Sequence, residues 1–192
     1  MQTGVLATRR GTLIGLAAAL GACGQSAAPV TPPIAAEVGP ANACGNDGRL
    51  QTELYGALAG SLDWSAADLE CSGMPRPNGE GARMRFAGRV QDGSRRLAII
   101  IAIPALKRAA TGVELASKVT LIDEGSGRFF STWDLDGCWT DVTSLRSLDD
   151  SGDRFTIGGM LYCVAPLAEV NGDSSVSIDE LTFAGLLDWS AK

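Results

Sequence analysis

Histidine is absent from the 192 residues, lysine occurs only at Lys107, Lys118 and Lys192, and aromatic side chains make up 6% of the chain. Without histidine there is no Ser-His-Asp or Cys-His nucleophile, no His-ligated zinc, and no side chain whose ordinary pKa lies near neutrality. Ser-x-x-Lys chemistry fails as well, because no Ser stands three residues before any of the lysines. The net charge is −6. A surface that tracks nucleic-acid phosphates needs clustered Lys and Arg, so no nucleic-acid partner is expected. The same balance argues against a basic patch that docks on anionic lipid. No apolar run approaches the ~20 residues that a membrane-spanning helix requires. The length suits one domain with appendages.

The amino-terminal residues read as an address. Arg9 and Arg10 stand in a stretch without acids, and Leu13–Leu20 is an apolar run of 8 residues. That run fits the hydrophobic region of a secretory signal peptide. It is followed by Leu20-Gly21-Ala22-Cys23. On these residues the chain resembles bacterial prolipoproteins, whose lipobox is Leu, two small residues and an invariant Cys. The resemblance implies cleavage before Cys23, a diacylglyceryl group on its thiol, and acylation of the new amine. A small residue at position 22 fits a peptidase cleft, and the thiol is the nucleophile that takes the lipid. Thr8-Arg9-Arg10-Gly11-Thr12-Leu13 also resembles a twin-arginine export motif, with Thr12 where that motif prefers Phe. Two arginines equally suit the general secretory route. Gly24 is not the Asp that retains lipoproteins at the inner membrane of enteric bacteria, so the outer membrane is the expected location if the host is Gram-negative. Residues 1–22 are thus expected to be removed, and the membrane to be a partner through lipid on Cys23. Two or more acyl chains anchor stably where one does so only reversibly.

Residues 24–43 hold four Pro, six Ala and a single charge, Glu37, which cannot build a core. With Cys23 they form the expected linker, 23–43. A polyproline-like chain of this length reaches roughly 60 Å.

From Cys44 to Lys192 the pattern is short apolar runs cut by turn signals, which predicts a single β-rich domain. Arg83–Val90 alternates, with Met84, Phe86, Gly88 and Val90 on one face. Asp92-Gly93 predicts a tight hairpin turn. Leu97–Ile103 is continuously apolar, as a central strand is, and Pro104 ends it. Residues 105–112 suit a loop or one helical turn. Further strands are expected at Val119–Ile122, Arg128–Trp133, Cys138–Leu145, Arg154–Val164 and Ser175–Trp189. The expected fold is all-β: an antiparallel sandwich or barrel of about eight strands, stapled by two disulfides. An internal echo, Ala59–Ala66 against Ala184–Ala191, agrees at seven of eight positions. We read it as two strands meeting similar surroundings at neighbouring places, with Leu and Trp inward.

Apart from Cys23 the cysteines are Cys44, Cys71, Cys138 and Cys163, an even set in an exported chain, which implies disulfides. Cys138 and Cys163 lie symmetrically about Asp150-Ser151. A hairpin turning there without a net bulge sets them opposite each other, within reach of a bridge. By elimination Cys44 pairs with Cys71.

Other candidates for chemistry are weak. Residues 169–180 are similar to an EF-hand or dockerin calcium loop, with Glu169, Asn171, Asp173 and a twelfth-place Glu180 as oxygen ligands. Glu169 stands where that loop has Asp, and Ser174 where it has Gly, so no metal or other cofactor is expected. Asp134-Leu135-Asp136-Gly137 reads as a turn. Asp150-Ser151-Gly152 matches the aspartic-protease triplet in letters only, since Asp149 and Asp153 flank it instead of apolar residues. Trp64, Trp133, Trp139 and Trp189 read mainly as packing residues. Arg83, Arg85, Arg89, Arg95 and Arg96 form a local basic face on an acidic protein, which we read as a solvated strand face that discourages edge aggregation. The expectation is therefore a non-enzymatic, membrane-anchored envelope lipoprotein acting as a binding module for an envelope protein or other partner. The alternative is a β-barrel carrier of lipid or another apolar ligand. A carrier needs an internal apolar cavity of a few hundred Å³, whereas a binding module has a filled core.

Overall fold

The structure is a computed structural model and describes residues 44–191. Cys23, the lipobox and the linker lie outside the described residues. The domain is all-β and antiparallel, with twelve strands.

Its best-patterned part lies in the middle of the chain. β3 (Glu70–Pro75), β4 (Ala82–Arg89), β5 (Arg96–Ile103) and β6 (Gly112–Asp123) pair in chain order. Met84 and Phe86 of β4 face the core, as do Leu97, Ile99, Ile101 and Ile103 of β5 and Val119 and Leu121 of β6. β5 is central, between β4 and β6, which is why its outward positions are also filled by Ala98, Ile100 and Ala102. The β4–β5 hairpin closes at Val90 and Arg95 around residues 91–94, and so carries a four-residue loop rather than the tight turn expected at Asp92-Gly93. Asp92 Oδ1 accepts hydrogen bonds from the Ser94 backbone N–H (2.8 Å) and hydroxyl (2.5 Å), and Gly93 supplies the positive φ. The residues after Pro104 form turns and loop up to Gly112.

The rest of the domain is built round β1 (Arg49–Gly56). β2 (Gly60–Ser65) pairs along one edge of β1. Its other edge takes both β11 (Ser175–Ile178) and β12 (Leu181–Asp188). The expected last strand is thus broken in two at Asp179-Glu180, where the two pieces turn a corner but share one neighbour. β12 pairs β9 (Arg154–Cys163), which pairs β8 (Cys138–Ser147). Short β7 (Arg128–Ser131) and β10 (Leu167–Glu169) join β6 to β11. Because β8 also pairs β6, the pairings close a circuit: β6–β7–β10–β11–β1–β12–β9–β8–β6. The turn signals mark fewer strands than this, because corners split strands and β10 has only three residues.

The two layers meet face to face. Phe86 of β4 and Phe183 of β12 lie 5.6 Å apart between ring centroids. Gly185 makes room for Phe86, to which a Cβ there would come within 3.0 Å. At Gly73 a Cβ would overlap the Leu186 carbonyl oxygen, so this glycine lets β3 cross close to β12. Leu50, Leu54, Leu62 and Phe130 are among the fully buried side chains that fill the space between.

The two echo strands are both neighbours of β1. β2 lies on one side of β1 and β12 on the other. Leu62, Trp64 and Leu187 are buried, and Trp189 is partly so.

The disulfides are Cys44–Cys71 and Cys138–Cys163, with Cα separations of 4.9 and 4.0 Å. The second joins directly opposed residues of β8 and β9. The premise of an unbulged hairpin does not hold, however. Near the turn the register is Ser147↔Phe155, centred on Ser151 itself, and an irregularity between Val142 and Ser144 then restores Cys138↔Cys163. The displaced turn and the bulge cancel.

Candidate functional site

Exposed apolar surface coincides with a cleft where β6, β7 and β10 meet. Ser131 of β7 is paired with Thr120 on one side and Ala168 on the other. The next residue, Thr132, is buried and doubly tied to Val119: its N–H donates to the Val119 carbonyl (3.1 Å), and its Oγ1 accepts from the Val119 N–H (3.2 Å). The chain then leaves the sheet through Trp133 and Asp134, makes a 3-10 turn over Leu135–Gly137, and rejoins β6 when Cys138 pairs Ser117. The Asp134–Gly137 segment is therefore a turn, as expected.

Trp133 sits at the root of this excursion, one residue beyond the buried Thr132. Its side chain is 82% exposed, more than any other large apolar side chain among the described residues. It lines a cleft of about 420 Å³ whose other walls include Lys118, Ser131, Ala168, Val170 and Asn171. Val170 and Asn171 come from the β10–β11 turn, where Asn171 takes φ +63°, a left-handed conformation that Asn tolerates better than most residues. Beside the cleft, Ile122 pairs Phe129, and the Val170 N–H donates to the Phe129 carbonyl (2.7 Å). Phe129 and Val170 are 45% and 53% exposed. An apolar row of Ile122, Phe129 and Val170 thus crosses the sheet one row beyond Thr120, Ser131 and Ala168, and of its members Val170 reaches the cleft.

Under the cleft lies a closed ion pair. Arg128 Nε and Nη2 donate to the two oxygens of Glu169 at 2.6 and 2.9 Å, and Ser174 Oγ donates to Oε2 at 2.5 Å. The guanidinium also stacks 4.9 Å from the Phe130 ring centroid. The Arg128 fork, helped by the Ser174 hydroxyl, depresses the Glu169 carboxyl to about 2. This carboxylate is an anchor for the cleft wall, already saturated with donors.

The calcium-loop residues are not brought together as ligands. Glu169 is engaged by Arg128, and Asn171 and Asp173 are exposed in the β10–β11 turn. Glu180 lies past the far end of β11, in the corner before β12. Among the described residues no group of three or more acids, Cys or His is placed to hold a metal.

The arginine face is also altered. Arg85 and Arg96 both pair with Glu124 and with Glu70, which come from the β6–β7 turn and from β3. Burial works against the Arg96 charge, but Glu124 and Glu70 outweigh it and hold the guanidinium above its usual range. Arg83 Nη2 lies 3.3 Å from Met74 Sδ, and Arg95 donates to the Ala59 carbonyl (3.0 Å). β4 is interior to the sheet, with β3 outside it, so its arginines do not guard an edge. The acids that pair with Arg85 and Arg96 lie far off in sequence, and strand alternation alone gives no sign of them.

The other tryptophans differ in setting from Trp133. Trp64 is buried and donates to the Arg89 carbonyl (2.5 Å), and Trp139 stacks on Tyr162 at 5.9 Å. Asp150-Ser151-Gly152 is a turn in which Asp149 Oδ1 accepts from Ser151 Oγ and Gly152 N–H. Asp123, also buried, organises the β6–β7 turn: burial pushes its pKa up, but bonds from Ser126 and Gly125 outweigh that and leave it low. No family model, curated protein or solved structure matches the chain.

Proposed function

We propose that the protein is a lipid-anchored, non-enzymatic binding module of the bacterial envelope, tethered through Cys23 and engaging its partner at the Trp133 cleft. The observation that carries this reading is an indole 82% exposed on a backbone pinned by Thr132 and Val119. Leaving so large an apolar surface in water forgoes roughly 1.5–3 kcal/mol that burial would supply. Side chains of this kind, fixed in place and bordered by polar groups, are what anchor interfaces. The lipobox Leu20-Gly21-Ala22-Cys23 supports the tether, and the Pro/Ala-rich 24–43 segment supports a stand-off from the bilayer.

The carrier alternative is less well supported. Inward positions are occupied by Phe86, Phe130, Phe183 and the aliphatic residues around them, which favours a filled core over a ligand chamber. Among the carboxylates, Glu169 and Glu124 are engaged by arginines and so are not free to act as acid or base, whereas Glu53, Asp63, Asp179 and Glu180 line a separate, shallow cleft between β1, β2 and the β11–β12 corner.

The test is Cys23→Ala in the native host. Lipid labelling should be lost and the protein should appear unprocessed or soluble. Normal membrane retention with an unmodified amino terminus would overturn the tether.

A further inference from the structure

The cleft carries more information than the presence of a partner, and we infer that its ligand is a sugar ring of a glycan, stacked on Trp133. The inference rests on the reading of the domain as a binding module and names the ligand class of the same site.

The chemistry around the indole is unbalanced. Lys118 is exposed, and no ion pair among the described residues engages it. The Asn171 amide is likewise exposed, on a turn whose backbone is set by the Glu169–Ser174 pairing (2.9 Å). The acid that lines the cleft, Glu169, has its carboxylate occupied by Arg128 and Ser174. Ser131 Oγ already donates to the Val119 carbonyl (3.0 Å), which leaves it lone-pair capacity only. The cleft therefore offers one apolar face and several free donors, with little free negative charge inside it. A pyranose matches this: it has a face of C–H groups that lies on an aromatic ring and a rim of oxygens that accept hydrogen bonds. The volume of about 420 Å³ lies in the range of small-ligand sites.

The other occupants fit less well. Asp134 and Asp136 flank the indole loop and are exposed, so pushing Trp133 and Leu135 into an anionic bilayer would carry two carboxylates with them. A stable protein interface covers ~800 Å² on each side, whereas the exposed large apolar groups in this cleft are one indole and Val170.

The experiment uses the full mature protein, lipid attached and solubilised in detergent. The probes are the tetramer of N-acetylglucosamine and a glucose tetramer, which separate N-acylated from plain sugars. One or both should bind, blue-shift the tryptophan emission and protect it from iodide quenching. Trp133→Ala should weaken binding by about tenfold or more, with an unchanged melting temperature because the side chain is exposed. Trp133→Phe should keep part of the affinity, and Lys118→Met should lose several-fold. Failure of both tetramers to bind, or equal binding by Trp133→Ala, would overturn the glycan assignment. A purified polypeptide that binds the wild type but not Trp133→Ala, with neither sugar bound, would also overturn it and leave the binding-module reading standing.

Discussion

Glu169 shows how one side chain takes a role set by its neighbours. In the chain it opens an apparent calcium loop, but in the fold its two oxygens meet the Arg128 fork and the Ser174 hydroxyl. Its pKa falls from an ordinary 4.5 to about 2. A carboxyl whose folded value is lower than its unfolded value stabilises the fold fully above the unfolded value, and that contribution drains away as pH falls through the folded one. We therefore expect the melting temperature of the wild type minus that of Glu169→Gln to be positive at pH 7 and to shrink between about pH 4.5 and pH 2. Differential scanning calorimetry across that range reads it. A pH-independent difference would mean that the pair contributes by shape alone. Taking the difference removes Asp92, Asp149 and Asp188, whose lowered values come from turn hydrogen bonds with Ser94, Ser151 and Ser190.

Pairs of strands carry the next level of organisation. The β8–β9 hairpin is closed at its open end by Cys138–Cys163, with a sequence separation of 25. Cross-linking a loop of that size removes unfolded-state entropy equivalent to roughly 3 kcal/mol. The double variant Cys138→Ala/Cys163→Ala should keep the β-sheet circular dichroism and lose about 2–4 kcal/mol in urea titration. A loss near zero would show that the β6–β8 and β9–β12 pairings already hold the hairpin. Symmetry about Asp150-Ser151 pointed to this pairing in the sequence, although the turn is centred on Ser151 and a bulge restores the register. The bulge near Thr143 was not legible, because an extra residue in one strand leaves no mark that hydrophobic alternation reveals. The break at Asp179-Glu180 was hidden for a related reason: apolar residues continue on both sides of it, and only the shared neighbour β1 shows that the strand turns.

Over the whole molecule, the amino-terminal strand of the domain is its keystone. Arg49 pairs Ala184 and Leu54 pairs Ile178, so β1 cannot complete its sheet until the last strands have been made. The circuit through β6, β7, β10, β11, β1, β12, β9 and β8 closes only with those non-local pairs. Loop-closure entropy precedes the reward from such contacts, which places all-β folds of this kind in the millisecond-to-second regime. With both disulfides intact, stopped-flow refolding from denaturant should lie in that range, and a microsecond relaxation would contradict this view of the topology.

By itself the sequence determined the class of the fold, the inward face of β4, the central place of β5, and the pairing of the four cysteines. Those follow from alternation, turn chemistry and spacing, which are local properties of the chain. Only the tertiary structure decided that Arg85 and Arg96 are paired with Glu70 and Glu124, and that Glu169 serves Arg128. It alone placed Trp133 in water while Trp64 entered the core. Each of those outcomes depends on which distant strand arrives alongside: within a hairpin the turn sets the register, but no turn links strands far apart in the chain, so no local pattern names a side chain's partner there.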